Sequence, residues 1–423
     1  MKKHLSLKSI TPFILKLHLY IGIFIAPFIL LATLTGVLYI LTPQIESYIY
    51  RDLLIVDSNS KVKKSLDEQL AIALSSAKGR GLKLYSIRPS LRESTSTRVL
   101  FKSDKLRSSE FHTLFINPYE LTILGELGTY GTSGVLPLRM KIDYFHRDLM
   151  LGDWGRWYSE LAASWMWISG LSGFFLFLIK YKKSMAGKLL RRHVFIGLFS
   201  LFALIFLSIT GLTWSKWAGS TISTIRKSLS WHTPSPKRLI SPTQDLNIAH
   251  SLDKVFEISK RNGIDSAFIE IVPPKNNTSA WFIREIERKF PPKVDSITIH
   301  PQSFEVLDSA YFKDFNLMAK LTRYGIDFHM GNLFGVFNQI LLTLFGCAII
   351  YLIISGYKIY FRRLKAKKLF APNNSLIEIF KRQPMANKLL IASTIAILCY
   401  FLPLLAISLM LILTTEKFYC LRS

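Results

Sequence analysis

Two stretches decide how this chain folds: HLYIGIFIAPFILLATLTGVLY (18–39) and HVFIGLFSLFALIFLSITGLTW (193–214). Each opens on a histidine and has a glycine four residues on (His18 and Gly22; His193 and Gly197). Each carries a threonine-glycine pair near its far end (Thr35-Gly36; Thr210-Gly211), and histidine and threonine are 17 residues apart in both. The two stretches lie 175 residues apart. Later landmarks repeat at a spacing of 183: His146 with His329, Gly152 with Gly335, and Asn117-Pro118 with His300-Pro301. The extra eight residues fit a loop insertion. Self-similarity of this kind is sought before any single motif is trusted. The unit repeated is a helix, an outer segment of roughly 110 residues, and a returning helix.

The chain has 423 residues, half of them hydrophobic. The apolar residues lie in runs of about 20 or more, enough to cross roughly 30 Å of hydrocarbon at 1.5 Å per residue. The runs predict five membrane helices, at 18–41, 146–179, 193–214, 329–357 and 389–413, the second and fourth led in by His146 and His329. Glu160, near the start of the second run, sits in the interface or faces the bundle. The first run is too long for a cleaved signal and lacks a small-x-small cleavage site, so it reads as a retained helix. A net charge of +26 suggests nucleic acid in a soluble protein, but here the excess is segregated. Lys180–Arg192 and Lys358–Phe370 each hold six Lys/Arg and no acid. Lys2, Lys3, Lys8 and Lys16 precede the first helix. Positive-inside bias places 1–17, 180–192 and 358–388 in the cytoplasm, with 414–423 as a C-terminal tail. Anionic lipid headgroups account for the clusters, and no nucleic-acid motif accompanies them. Cys347, Cys399 and Cys420 form neither a metal spacing nor a disulfide framework.

The outer segments, 43–145 and 215–328, carry matching signals. LDEQLAIALSSAKG (66–79) and LDKVFEISKRNG (252–263) read as amphipathic helices. LKLYSIRPS, TRVLFKS, HTLFINP and LTILGEL read as strands in the first segment; SAFIEIVPP, AWFIREI, SITIHP and FEVLD do so in the second. The expected architecture is a predominantly α-helical polytopic membrane protein. It has a duplicated four-helix haem-binding core, a fifth helix and two external α+β domains.

Topology sorts the histidines. His18 and His193 begin outward-going helices on the cytoplasmic side, and His146 and His329 introduce inward-going helices on the outer side. Two imidazoles at each level are what two b-type haems need, since haem iron takes neutral nitrogen ligands on both faces. The expected pairs are His18 with His193 and His146 with His329, all four binding haem iron. A glycine four residues from a helical histidine shares its face. Gly22 and Gly197 stand there, and they and Gly36, Gly170, Gly173, Gly211 and Gly356 either let a flat ring lie against the helix or let helices pack closely. Arg139, Arg147 and Arg156 cluster where the second membrane helix begins, placed to meet haem propionates or an anionic substrate. His4, His112, His232, His250 and His300 lack this arrangement.

The chain resembles the PepSY-associated transmembrane helix family, which includes iron-regulated inner-membrane proteins and siderophore reductases. The resemblance covers about residues 13–360 and rests on LHLYIGIFIAPFILLATLTG (17–36), FHRDLMLGDWGRW (145–157), RRHVFIGLFSLFALIFLSITGLTW (191–214), DFHMGNLFG (327–335) and, in the first outer segment, INPYELTILGE (116–126). It implies PepSY-like external domains and two b-type haems ligated by His18, His146, His193 and His329. It also implies a bacterial inner-membrane location, with the N-terminus cytoplasmic and both external domains periplasmic. The implied activity is electron transfer to a periplasmic ferric siderophore or ferric chelate. The chain has no GxGxxG fingerprint for a nicotinamide or flavin nucleotide, so the donor is another protein, a quinol or a reduced flavin. Two other readings stay open: a non-enzymatic PepSY scaffold that regulates envelope proteins, and a ferric-siderophore permease.

Overall fold

The computed structural model describes residues 7–58, 61–180, 187–243, 248–364 and 375–422. The chain begins with α1 (Leu7–Tyr20), a π-helical turn (Ile21–Ile25) and α2 (Ala26–Ile49), which run as one apolar rod. A short α3 (Arg51–Leu54) leads to α4 (Leu66–Ala77) and strands β1 (Lys83–Arg88), β2 (Thr97–Lys102), β3 (Glu110–Ile116) and β4 (Ile123–Tyr130). Next come α5 (Pro137–Asp148), α6 (Arg156–Lys180), α7 (Lys188–Thr213) and α8 (Trp217–Ser228). The second outer segment holds α9 (Leu252–Arg261) and strands β5 (Ile269–Val272), β6 (Trp281–Glu285), β7 (Ser296–Ile299) and β8 (Val306–Ala310). The chain then forms α10 (Leu317–His329), α11 (Val336–Leu364), α12 (Leu376–Lys381), α13 (Met385–Phe401) and α14 (Pro403–Arg422).

Among the described residues four helices are long and apolar enough to cross a membrane: the α1–α2 rod, α6, α7 and α11. The protein is a multi-pass membrane protein. It divides into a membrane unit (residues 1–40, 142–230 and 339–423) and an external unit (41–141 and 231–338).

Within the membrane unit, α6 packs against α1, α7 and α14. Lipid offers no hydrophobic drive for helices to associate, so close backbone approach and internal hydrogen bonds matter more. Small residues supply the approach: a side chain at Gly170 would press on Leu201 and Leu204, and one at Gly211 on Ala163. Trp165, fully buried, donates from Nε1 to Ser408 Oγ at 2.8 Å. Glu160 faces the bundle and is buried. Its carboxylate accepts from the backbone N–H groups of Trp217 (2.9 Å) and Ala218 (3.0 Å), satisfying donors that the start of α8 leaves open. Because α8 belongs to the membrane unit, the second external segment starts at 231 and not at 215.

Three expectations about the spans are corrected. The segments expected at 146–179 and 329–357 each begin instead with the last turn of a separate amphipathic helix. His146 lies near the end of α5, and α6 starts only at Arg156; His329 ends α10, and α11 starts at Val336. Positive φ at Leu149, Met150 and Gly152, and at Gly331 and Gly335, turns the chain between the paired helices. The stretch expected to cross once over 389–413 is broken at Leu402, the residue before Pro403, where helical backbone is disfavoured. At the start of α13, Asn387 Nδ2 donates to Ser9 Oγ (2.7 Å). Near the end of α14, Glu416 accepts from Leu376 N (2.7 Å) and from the Tyr20 hydroxyl. The pair is therefore a hairpin that enters and returns at the α1 end of the bundle. Its turn, at Leu402 and Leu405, packs on Ile21, Ile25 and Trp165. The basic segments at 1–17, 180–192 and 358–388 lie partly outside the described residues, and His4 wholly so.

In the external unit, all eight expected strands and both helices form. The two segments were expected as separate domains but share one antiparallel sheet, ordered β4-β3-β2-β1-β5-β6-β7-β8. Two four-stranded meanders meet where β1 pairs with β5 at Ile87↔Ile271. One face carries Ile87, Val99, Phe101, Leu114, Ile116, Ile271, Ile283, Ile297 and Ile299, buried beneath Leu70, Ala73 and Ala77 of α4 and Leu252 and Val255 of α9. Each large apolar side chain buried there contributes roughly 1.5–3 kcal/mol. The two helices cap each other. Asp253 accepts from Leu66 N (2.8 Å) and Asp67 N (3.0 Å), and Asp67 accepts from Leu252 N (2.8 Å). Ser65 and Glu68 add a reciprocal capping box to α4.

Candidate functional site

His18 projects from the last turns of α1. Its Nδ1 lies 2.9 Å from Ser172 Oγ on α6. His193, near the start of α7, makes the same contact to Ser355 Oγ on α11 at 2.8 Å. His146, in the last turn of α5, meets Thr35 Oγ1 on α2 at 2.9 Å. A hydroxyl and an imidazole nitrogen within hydrogen-bond distance can exchange donor and acceptor roles, so the hydroxyl's own proton must be located. Ser172 Oγ donates to Ser169 O (3.0 Å), and Ser355 Oγ to Leu352 O (3.1 Å). Thr35 Oγ1 donates to Leu31 O (2.8 Å). A hydroxyl has one proton and two lone pairs. A hydroxyl proton given to the helix carbonyl leaves the oxygen to accept from the histidine, which is the arrangement with the N–H on Nδ1. The neutral ring then presents the Nε2 lone pair. This is the tautomer that metal-ligating histidines adopt, with the second nitrogen fixed by a hydrogen bond.

Each hydroxyl residue is followed by glycine, and the imidazole lies on that glycine. A Cβ on Gly173 would sit 3.2 Å from His18 Cε1, one on Gly36 3.3 Å from His146 Cε1, and one on Gly356 3.6 Å from His193 Cε1. Ser172-Gly173 and Ser355-Gly356 are 183 residues apart, the spacing of the second half of the repeat. Of the glycines singled out from sequence, Gly36, Gly173 and Gly356 seat a histidine, Gly170 packs on Leu201 and Leu204, and Gly211 packs on Ala163. Gly197 touches Leu352, while a side chain on Gly22 would enter open space.

His18 and His193 line one cavity of about 490 Å3, with Gly22, Gly197, Leu19, Phe177 and Leu352 among its walls. Its size and apolar lining suit a small-molecule or cofactor site. Gly22 lies in the π-helical turn that follows His18; such turns recur at functional sites. The structure thus brings His18 and His193 to one space within the membrane unit. Their level and that of His146 with Thr35 are separated along the α1–α2 rod by the 17 residues from His18 to Thr35, about 25 Å at 1.5 Å per residue. His329 belongs to the external unit, at the end of α10. Among the described residues no three His, Cys, Asp or Glu side chains gather to hold a bare metal ion. Two imidazoles lining one apolar cavity are a donor set of the kind a bis-histidine haem takes.

The three arginines expected to meet propionates or substrate already have protein partners. Arg139 is buried in the external unit and donates to Met330 O (3.2 Å). Arg147 pairs with Asp148 (3.3 Å) and lies over the Tyr144 ring. Arg156 bonds the Trp214 carbonyl. Sequence reasoning missed Ser172 and Ser355. The signal available was their shared Ser-Gly dipeptide at the repeat spacing.

No curated protein matches the sequence. A family model described as the PepSY-associated TM region matches residues 15–363, a span that takes in most of the α1–α2 rod, α6, α7, nearly all of α11, both halves of the sheet and His18, His146, His193 and His329. The chain therefore belongs to the PepSY-associated TM family.

Proposed function

We propose that the protein carries electrons across a membrane on two b-type haems and delivers them to a ferric siderophore or other ferric chelate on the outer side. The observation that carries this reading is that His18 and His193, each within hydrogen-bond distance of a serine hydroxyl (Ser172 and Ser355), line one apolar cavity. Bound haem supplies a one-electron centre whose potential is set by its ligands and surroundings. The chain's own residues do the rest at that level. His18 and His193 are the ligands, and Ser172 and Ser355 hold their rings in one tautomer. Gly173 and Gly356 let the rings lie flat against α6 and α11. Leu19, Phe177 and Leu352 line the slot and exclude water. For the second haem the support is the sequence duplication of His146 and His329; Thr35 lies within hydrogen-bond distance of His146.

Positive-inside bias in the basic segments supports a cytoplasmic N-terminus and a periplasmic external unit in a bacterial inner membrane. The donor then works from the cytoplasmic side or from the bilayer, as another protein, a quinol or a reduced flavin. The test is the haem content and the dithionite-reduced minus air-oxidised spectrum of the detergent-purified protein. About two b-type haems per chain, reoxidised by added ferric siderophore, is the expected result. A folded, haem-free protein after expression with ample haem overturns it and leaves the PepSY scaffold reading in its place.

A further inference from the structure

The sheet face opposite α4 and α9 carries a row of charge across four strands. Arg98 on β2 stands directly opposite Arg88 on β1, and Glu270 on β5 directly opposite Arg284 on β6. Between them, Arg88 Nε and Nη2 donate to Glu270 Oε1 (3.0 and 2.8 Å). Arg284 Nε donates to Glu270 Oε2 at 2.8 Å, and Ser86 Oγ donates to Oε1 at 3.0 Å. The row thus holds three arginines and one carboxylate. Both carboxylate oxygens are taken by Arg88 and Arg284, and nothing of Glu270 is left for Arg98.

Among the described residues the Arg98 guanidinium has no hydrogen bond and no ion pair. Its polar surroundings are Arg88, which repels it, and the more distant charge of Glu46. Burial and the Arg88 charge push its pKa down to about 10. The Phe115 ring lies 5.4 Å from its Cζ. Like charges directly opposite on neighbouring strands destabilise a sheet. The repeat shows that the pair is not imposed by the fold, since the equivalent cross-strand positions in the second half are Val272 and Phe282. Gly134 lies beside the tips of both arginines, where no side chain would fit. A Cβ there would clash with Arg88 Nη1 and come within 3.4 Å of Arg98 Nη1.

We infer that Arg98 and Arg88 form an oxyanion site on the external unit for a carboxylate of a soluble iron chelate. Guanidinium forks match carboxylate geometry in two dimensions and are weakly hydrated, so the half-buried Arg98, with the buried Arg88 charge beside it, binds an anion that a lysine would not. The assignment to an iron chelate rests on the function proposed above: Fe(III) prefers hard anionic oxygen ligands, and their complexes carry surplus negative charge. The anion relieves the Arg88–Arg98 repulsion and completes the charge of the row.

The test uses the full chain in detergent, with citrate, ferric citrate and inorganic phosphate titrated by calorimetry, and with haem content read on the same samples. Citrate and ferric citrate are expected to bind, and Arg98→Gln is expected to weaken both by about 10–100-fold, the loss of a charged hydrogen-bonding group. Without ligand, Arg98→Gln is expected to unfold at a higher temperature than the parent, because it removes the repulsion. Arg98→Lys keeps the charge without the fork, and should weaken binding without raising that temperature. Binding unchanged by Arg98→Gln, a lower unfolding temperature in that variant, or phosphate binding as tightly as citrate each overturns the proposal. Loss of the anion site with haem content intact refutes this inference alone.

Discussion

The duplication has been treated differently in the two units. In the membrane unit its two copies agree closely: His18 to Ser172 and His193 to Ser355 are 2.9 and 2.8 Å, each ring seated on a glycine. In the external unit the copies have parted. Positions that hold Arg88 and Arg98 in one half hold Val272 and Phe282 in the other. Two copies that border one cavity must meet one shared object from both sides, and likeness serves that. Two copies at different places in one sheet have no common object, and one of them is free to specialise. Matching halves therefore mark a two-sided site and unlike halves a one-sided one.

The harshest way to break the comparison is to remove a ligand. His18→Ala and His193→Ala should each lower haem content from about two to about one per chain, the other level keeping its haem. The absorbance spectrum per polypeptide measures this, and loss of both haems from either variant counts against the pairing. Next comes the one-sided site. Glu270→Gln leaves Arg88 and Arg284 without their carboxylate, and should cost about 3–5 kcal/mol in the unfolding of the external unit. Burial works against ionisation of Glu270, but Arg88 and Arg284 outweigh it and hold its pKa below the usual carboxylate range. A depressed folded pKa gives stability that is full above the unfolded value, about 4.3, and lost as pH falls through the folded one. Thermal unfolding followed between pH 6 and 3 should show that acid-side loss in the parent and a smaller one in Glu270→Gln.

Milder changes sharpen the likeness of the membrane copies. Ser172→Ala and Ser355→Ala should each weaken haem retention by about 10–100-fold, as loss of a hydrogen bond behind a metal-ligating histidine does. Haem transfer to apomyoglobin gives the rate, and equal effects confirm that the copies are equivalent. The smallest effect tests where they differ. A Cβ at Gly173 comes 3.2 Å from His18, closer than ordinary contact, whereas at Gly356 it stays 3.6 Å from His193. Gly173→Ala should shift the reduced haem spectrum or its midpoint potential, and Gly356→Ala should shift it less.

Much of this was readable from residues alone. The strands announced themselves by alternation between turns, and the histidines by recurring at matched spacings. Ser172 and Ser355 did not, because a serine in a membrane helix ordinarily bonds back to its own helix. These two do that as well, and only the second lone pair is put to use. Fusion of the outer segments could not be read, since the β1–β5 seam joins residues 184 apart that carry no pairing signal of their own. The break in the fifth apolar stretch was readable at Pro403, but the high hydropathy on both sides masked it. Glu160 was visible as an acid in an apolar run, yet its task, holding the start of α8, needs the partner helix in place.

The shared sheet also sets a timetable. When β1 leaves the ribosome its partner β5 is still 184 residues away, and α6 and α7 must be threaded into the bilayer before it arrives. At ~5–20 residues per second the half-made sheet waits roughly 10–40 s, with the edge at β1 open to any passing strand. A stalled or truncated chain that ends before residue 269 would present that edge permanently.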